Sequence, residues 1–283
     1  MNRRQALTHA RKILADNNID DASLEGVVLL KHALGIDRVQ LYSDLDTDIS
    51  PKQEKALNKL LARRIQGEPS AYITGHREFY GLDFKVNRDV LIPRPETELL
   101  VEKAIRLAES HKIKTIADIG TGCGAIAVSL AVNLPRVTVY AVDISNEALK
   151  VAGDNCRKHN VADRIVLLEG DMLEPLPEPV DMIIANLPYV READLVNDTG
   201  LSYEPPLALD GGKDGLDGIR TTCRQAGDRL CRDGFILLEI GQGQADAVTA
   251  LLQETYPDSR IEVESDLAGI RRSVSLRLTL SVK

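Results

Sequence analysis

Asp118-Ile119-Gly120-Thr121-Gly122-Cys123-Gly124 is entered from the apolar run Thr115 to Ile119 and leaves into Ala125-Ile126-Ala127-Val128-Ser129-Leu130. It reads as a strand, a glycine turn and the start of a helix. Glycine lets the backbone turn sharply there and approach a ligand where a side chain would stand in the way. Asp143, nineteen residues past Gly124, ends the next apolar run, where a carboxylate can accept hydrogen bonds from both ribose hydroxyls of an adenosine. Loop and acid together predict a nucleoside-binding α/β sheet.

Working outward, short apolar runs alternate with helical patterns: Thr115 to Ile119, Val137 to Val142, Arg164 to Leu168, Met182 to Ala185 and Phe235 to Ile240. That alternation predicts a mainly parallel sheet covered by helices on both faces. Arg260 to Val263 and Ser273 to Leu280 read as two further strands joined by Asp266-Leu267-Ala268-Gly269. The first 66 or so residues carry helix signals instead. Leu24, Val27, Val28, Ala33 and Leu34 form a stripe that ends at Gly35. Ser50-Pro51-Lys52-Gln53 is a capping box with proline at the first helical position, before the stripe Ala56, Leu57, Leu60, Leu61 and Ile65. Between the two regions Ala71 to Val86 is rich in aromatic and β-branched residues around Gly75 and Gly81 and predicts a β-hairpin. The division expected is a helical bundle at 1–70, a hairpin linker at 71–90 and an α/β domain at 91–283.

The glycine spacing is G-x-G-x-G, whereas dinucleotide sites use G-x-G-x-x-G to bring a helix N-terminus onto a pyrophosphate. Asp118 beside the loop would repel a pyrophosphate but suits the ammonium group of S-adenosylmethionine. After the third run, Gly170-Asp171-Met172 places a polar and an apolar residue where an adenine amino group and ring would lie, although a Gly-Asp pair alone is usually only a turn.

Asn186-Leu187-Pro188-Tyr189 follows the run Met182 to Ala185, at the strand end where ligands collect in open α/β sheets. A planar NH₂ group is a poor nucleophile because its lone pair is delocalised. The Asn186 side-chain carbonyl and the backbone carbonyl of Leu187 can hold both N–H bonds and favour a tetrahedral nitrogen. Tyr189 can stack on the planar group. Taken alone, the tetrapeptide is equally a turn after a strand; after the preceding loops it reads as a methyl-acceptor site.

Composition narrows the partners. The 283 residues are 43% hydrophobic and 28% charged, with a formal net charge of −8, which forecasts no broad basic surface for nucleic acid. No stretch approaches the ~20 apolar residues of a membrane span, and a cytoplasmic protein is expected. Cys123, Cys156, Cys223 and Cys231 lack metal-ligand spacing, with Cys223 and Cys231 read as small buried residues of one helix. His9, His32, His76, His111 and His159 are scattered, and no metal is expected. Asp210, Asp214 and Asp217 among glycines read as a tight turn before a helix, because their offsets do not match a calcium loop. Arg63-Arg64 and Arg271-Arg272 read as surface charge.

At this point the sequence resembles the protein-(glutamine-N5) methyltransferases that modify peptide chain release factors. The resemblance runs along nearly the whole chain, through Gly67-Glu68-Pro69, Tyr72-Ile73-Thr74-Gly75 and Leu267-Ala268-Gly269 with Arg271-Arg272. It is most specific at Ile92-Pro93-Arg94-Pro95-Glu96-Thr97-Glu98, at Asp118 to Gly122, and at Glu204-Pro205-Pro206-Leu207-Ala208-Leu209 before Gly211-Gly212. It implies a Rossmann-like, seven-stranded methyltransferase domain joined by a β-hairpin to a helical substrate-recognition domain. It implies S-adenosylmethionine contacts at Gly120 through Gly124, Asp143, Met172 and Asn186, with S-adenosylhomocysteine as product. Substrate contacts are implied at Asn186 through Tyr189, with Arg94 and Glu96 beside them. The acceptor implied is the glutamine of a Gly-Gly-Gln motif in class 1 release factors, and nothing in the sequence demands more than a monomer.

One departure is visible: the family carries Asn-Pro-Pro-Tyr where this chain has Leu187. Leucine keeps the backbone carbonyl but frees φ, so rigidity is expected to fall and Leu187→Pro to keep or raise turnover. Alternative readings are a ribosomal-protein glutamine methyltransferase, a nucleic-acid amino-methyltransferase, a non-catalytic cofactor-binding adaptor in which Leu187 marks decay, and a nicotinamide dehydrogenase. The segment Pro95-Glu96-Thr97 favours the release-factor branch over the ribosomal one.

Overall fold

A computed structural model describes residues 1–195 and 203–279, which divide into two compact units, Met1–His76 and Arg77–Lys283. The first unit holds five helices: α1 (Arg3–Asp16), α2 (Ala22–Leu34), α3 (Arg38–Ser43), α4 (Pro51–Ile65) and α5 (Ser70–Thr74). The box expected at Ser50 is present: Gln53 N–H donates to Ser50 Oγ at 3.3 Å and Ser50 N–H donates to Gln53 Oε1 at 2.9 Å. Gly35 ends α2 in the left-handed region with φ of 67°. Ala6, Ala10, Leu14, Leu29, Leu30, Leu57 and Leu61 form the core of this unit. Leu24, assigned to the buried stripe on spacing, is 57% exposed; Val27 and Leu30 carry that face instead.

The hairpin is shorter than the aromatic segment that predicted it. Pro69 caps a helical turn over Ser70–Thr74, the Thr74 hydroxyl donates to the Ser70 carbonyl, and Gly75 closes the turn, so Tyr72 and Ile73 are helical. Only β1 (His76–Phe79) and β2 (Leu82–Lys85) pair, around Tyr80 and Gly81, both at positive φ.

The second unit continues with α6 (Thr97–Ser110), β3 (Thr115–Ile119), α7 (Ala125–Asn133), β4 (Thr138–Asp143), α8 (Asn146–Lys158), β5 (Ile165–Glu169), β6 (Val180–Ala185), α9 (Glu192–Leu195), α10 (Asp217–Arg229), β7 (Leu230–Glu239), α11 (Ala245–Thr255), β8 (Arg260–Ser265) and β9 (Arg271–Arg277). The sheet order is β5-β4-β3-β6-β7-β9-β8, with β9 antiparallel to both neighbours. Leu280, the last residue of the expected final strand, lies outside the described residues. Cys223 and Cys231 do not share a helix: α10 ends at Arg229, Leu230 is already extended, and Cys231 belongs to β7.

Strand periodicity decides which face each residue serves. Ala117, Ile119, Ile183, Ala185, Ile236 and Leu238 share one core with Ile219, Cys223 and Ala226 of α10 and Val248 and Leu252 of α11. The alternate residues, among them Ile116, Asp118, Met182 and Ile184, turn to the other face, where α6, α7 and α8 pack side by side.

Candidate active site

The chain leaves β3 toward β4 on one side and returns to β6 on the other, so the sheet opens a crevice beside β3. Register sets its contents. Ile119 is level with Val142 and with Ala185, and Asp143 with Glu169. Gly120, Asp143, Gly170 and Asn186 therefore follow at the same carboxyl edge. A cavity of about 360 Å³ lies there, within the roughly 300–1,000 Å³ usual for small-molecule sites.

Gly120, Gly122, Asp143, Asp171, Met172 and Asn186, all singled out from the sequence, line this cavity, as do Leu187 and Pro188. Gly120, Gly122 and Gly124 hold φ of 70°, 56° and 81°, values an L side chain rarely adopts. Asp143 ties two loops together: Gly122 N–H donates to its Oδ2 at 2.8 Å and Ser145 N–H to its Oδ1 at 2.9 Å. Burial raises its carboxyl above the ordinary range, while these backbone donors pull the other way. Each oxygen keeps a second lone pair, as a diol-binding carboxylate requires. Met172, at φ of 48°, presents its thioether to the Thr222 hydroxyl at 3.6 Å.

Asp118, Thr121, Cys123 and Gly124 stand behind the wall and are not among the residues that line it. Asp118 is fully buried, its Oδ2 accepting from the Thr121 hydroxyl at 2.6 Å and from Ala127 N–H at 3.1 Å. Burial pushes its carboxyl up to about 7, and Oδ1 has no hydrogen-bond partner. Its bonds hold the loop onto the first turn of α7, so the acid before the glycines is a brace for the loop. Cys123 is pushed up to about 12 by burial, which leaves it an inert thiol.

After Ala185 the alternation of faces continues into the tetrapeptide. Asn186 turns to the α6 side, where its Nδ2 donates to Thr97 Oγ1 at 3.0 Å. Leu187 turns to the α10 side and is buried in the core, with its Cδ2 3.4 Å from where a Cβ on Gly120 would stand. Its Cβ and Cδ1 lie 3.4 Å from the same position on Gly218. Rigidity that a proline ring would give through φ is supplied here by packing.

The rest of the tetrapeptide is fixed from above. Val190 N–H donates to the Leu209 carbonyl at 3.1 Å and Gly211 N–H returns a bond to Val190 at 2.8 Å. A Cβ on Gly211 would lie 2.7 Å from the Pro188 carbonyl oxygen, so only glycine lets these backbones cross. Gln244 gathers three strands of backbone: its Nε2 donates to the Tyr189 carbonyl at 3.1 Å and the Gly215 carbonyl at 3.2 Å, and its Oε1 accepts from Gly241 N–H at 2.7 Å. Gln244 was not identified as a site residue from the sequence, because it acts on backbone and matches no motif, and Thr97, although it lies in the segment Ile92 to Glu98 that carries the resemblance, was given no role there.

Tyr189, Arg94 and Glu96 lie outside the lining of the cavity but share an electrostatic neighbourhood with Glu239 and Arg272. The Tyr189 phenol is raised by burial first and by Glu239 second. Arg94 is paired with Glu204, whose other oxygen accepts from Ile92 N–H at 3.1 Å, which staples the proline-rich segment to Glu204-Pro205-Pro206. Asp214 and Asp217 both bind Arg220, Asp217 at 3.1 Å, so one guanidinium offsets part of the negative charge where the acid-rich turn enters α10. Among the described residues no cluster of histidine, cysteine and acids could hold a metal ion.

Known proteins match this arrangement. The helical unit fits the profile described as the PrmC N-terminal domain over residues 5–75, and residues 95–201 fit the methyltransferase small domain. A release factor glutamine methyltransferase from Moorella thermoacetica is 43% identical over 95% of this chain and 96% of its own. The chain belongs to the release factor glutamine methyltransferases. A second relative of that name, from Geobacter sulfurreducens, is 42% identical over 89% of this chain and 88% of its own. The fold of this chain also superposes on a methyltransferase from Pyrococcus furiosus, with a TM-score of 0.53 at 16% identity, covering 79% of this chain and all of the other.

Proposed function

We propose that this protein methylates the side-chain amide nitrogen of the glutamine in the Gly-Gly-Gln motif of class 1 peptide chain release factors, using S-adenosylmethionine as methyl donor. One observation carries the reading: Asn186, Leu187 and Pro188 line the same cavity as Asp143, Gly120 and Gly122. A methyl acceptor and a nucleoside thus meet in one space. The names of the curated relatives supply the acceptor.

The residues present suit the cofactor. Asp143 offers free lone pairs to a ribose diol, Gly120 and Gly122 leave room for close approach, and Met172 with Asp171 offers an apolar and a polar surface to an adenine. S-adenosylmethionine, when bound, supplies a methyl group activated by its sulfonium sulfur.

The remaining work falls to this chain. Because Asn186 Nδ2 is engaged by Thr97, its Oδ1 is the atom left to accept one substrate N–H. The Leu187 carbonyl accepts the other, and two acceptors on one nitrogen draw its lone pair out of amide resonance. Tyr189 covers the planar group. No strong base is required, since an N-protonated amide is acidic enough to lose its proton to water, and most of the acceleration comes from positioning. The helical unit is assigned to recognition of the release factor, and the enzyme is proposed to work as a cytoplasmic monomer.

The test is transfer of radiolabelled methyl from S-adenosylmethionine to a purified release factor. Incorporation at the motif glutamine, abolished by Asn186→Ala, is the expected result. Tight cofactor binding with no incorporation into any release factor would overturn the assignment in favour of an adaptor.

A further inference from the structure

Asn155, on α8, lies outside the motifs that define the site, yet it is fully buried and both ends of its amide are bonded. Its Oδ1 accepts from Lys85 N–H at 2.8 Å, and its Nδ2 donates to the Lys85 carbonyl at 3.0 Å. One side chain thus pairs with both backbone groups of a β2 residue, as a neighbouring strand would. The second Nδ2 proton goes to the Cys123 carbonyl at 2.8 Å, in the glycine loop between Gly122 and Gly124. The amide has one orientation. Of its three partners one is an N–H and two are carbonyls, so reversal would set oxygen against oxygen twice.

The loop depends on this bond at one end. Its leading end is held by β4, where the Val142 carbonyl accepts from Gly120 N–H and Thr121 N–H, both at 2.9 Å. At its trailing end Cys123 stands between glycines at φ of 56° and 81°, which bring no side chains to anchor it. The Cys123 carbonyl also lies ahead of α7: Val128 N–H donates to the Gly124 carbonyl and Ala127 N–H to Asp118. Packing brings α8 to the same place, since a Cβ on Gly124 would stand 3.2 Å from Ala152 Cβ, one turn before Asn155. The N-terminus of α8 starts from the carboxylate that the loop binds: Gly122 N–H donates to Asp143 Oδ2 and the N-cap Ser145 N–H to Asp143 Oδ1. Loop, Asp143 and α8 form a ring of bonds, and Asn155 closes it.

We infer that Asn155 is a positioning residue for the cofactor, fixing the glycine loop and, through Gly122, the carboxylate of Asp143, and tying both to the hairpin strand β2. This rests on the reading of the cavity as the S-adenosylmethionine site. The ion pairs that also join α8 to β2, Lys85 with Asp154 at 3.3 Å and Lys158 with Asp83 at 2.5 Å, end on carboxylates outside the loop, and such surface pairs add little. Asn155 alone among these contacts touches strand and loop together.

The experiment has two readouts. Amide hydrogen exchange in the wild-type protein is followed by NMR with and without S-adenosylhomocysteine. Lys85 does not line the cavity, so its amide should gain protection together with that of Gly122, and by roughly tenfold more than the amides of β8 at the far edge of the sheet. Asn155→Ala, Lys158→Ala, Leu252→Ala and Asp143→Ala are then compared for S-adenosylhomocysteine affinity, KM for S-adenosylmethionine, kcat and melting temperature. Asn155→Ala should weaken product affinity and raise KM for the cofactor by roughly 10-fold, with kcat at saturating cofactor within about twofold. Lys158→Ala cuts only an ion pair between α8 and β2, and Leu252→Ala opens the core at α11; both should hold affinity within about twofold, whatever they lose in melting temperature. An impaired Asp143→Ala beside an Asn155→Ala that binds product no more weakly than Leu252→Ala overturns the inference alone. Wild-type affinity in Asp143→Ala overturns it together with the reading of the cavity. Where Asn155→Ala fails to fold, the wild-type exchange decides, and a Lys85 amide protected no more than those of β8 overturns the inference.

Discussion

Truncating Leu187 separates two functions that the sequence left combined, the carbonyl on its backbone and the packing of its side chain. Leu187 is 3% exposed, between Gly120 and Gly218. Leu187→Ala removes three carbons, about 2.4 kcal/mol at ~0.8 kcal/mol per buried methylene. The glycines on either side have no side chains to collapse into the space, so a cavity term brings the loss to roughly 3–4 kcal/mol. At about 2–4 °C per kcal/mol the melting temperature should drop by roughly 6–15 °C. Gly218→Ala in that background places a methyl where Leu187 had packed and should recover about 1 kcal/mol. In Leu187→Pro the ring folds back on its own nitrogen and loses the reach of two carbons, about 1.6 kcal/mol, offset by ~0.4–1 kcal/mol from the stiffer unfolded chain. A melting temperature only a few degrees lower is expected, with turnover kept or raised because the carbonyl remains. Calorimetry and methyl incorporation decide both halves. A Leu187→Ala protein that melts with the wild type would refute the packing argument. A Leu187→Pro protein that folds but has lost roughly tenfold or more in turnover would refute the carbonyl argument.

Other perturbations bear on separate parts of the site. Asp143→Ala should weaken S-adenosylhomocysteine binding by roughly 1.5–3 kcal/mol, read by titration calorimetry, since it deletes a charged acceptor and frees two backbone donors; unchanged affinity would place the ribose elsewhere. Gln244→Ala should raise KM for the release factor or lower kcat while leaving cofactor affinity intact, because it releases the carbonyls of Tyr189 and Gly215 and not the cavity wall; a purely cofactor-binding defect would contradict this. Asp118 and Glu239 are each raised by burial to about 7 from ordinary values of 3.8 and 4.5. The folded state therefore holds protons that the unfolded state has lost, so the stability they contribute is full below about pH 4 and is lost as pH rises through about 7, on the order of 3 kcal/mol each. Denaturant melts of wild type and Asp118→Asn across that window should show a shallower decline in the variant; parallel curves would remove Asp118 from the account.

The sheet was legible because its strands are short apolar runs punctuated by acids and glycines, and five of them run parallel, a case in which burial on both faces leaves little ambiguity. Boundaries failed where local chemistry competed with composition. Tyr72 and Ile73 have strand-forming side chains, but a proline before them and a glycine after them close a helical turn. Cys231 followed a helix without any breaker in between; Leu230, already extended and paired with Val180, starts β7 and carries Cys231 into it. Among site residues, those that line the cavity through a motif were recoverable from spacing. Asp118 was recovered by position, and the structure adds that its Oδ2 braces the loop onto the first turn of α7. Gln244 was beyond reach, because a residue that holds backbone of other segments is defined by three-dimensional adjacency and leaves no fixed offset in the chain; Thr97 was within reach as part of the segment Ile92 to Glu98, but its bond to Asn186 was not.

The crossing of Gly211 over Pro188 has a consequence for how such a chain can diverge. The glycine is required both by the tetrapeptide beneath it and by the turn at Gly215, whose Cα would lie 2.8 Å from a Cβ there, so three segments answer to a single constraint. A descendant that abandoned chemistry and let the tetrapeptide relax would still need glycine at 211 for as long as that turn held its place. A side chain at that one position would thus be a mark, readable in sequence, that the tetrapeptide and the turn had both been given up.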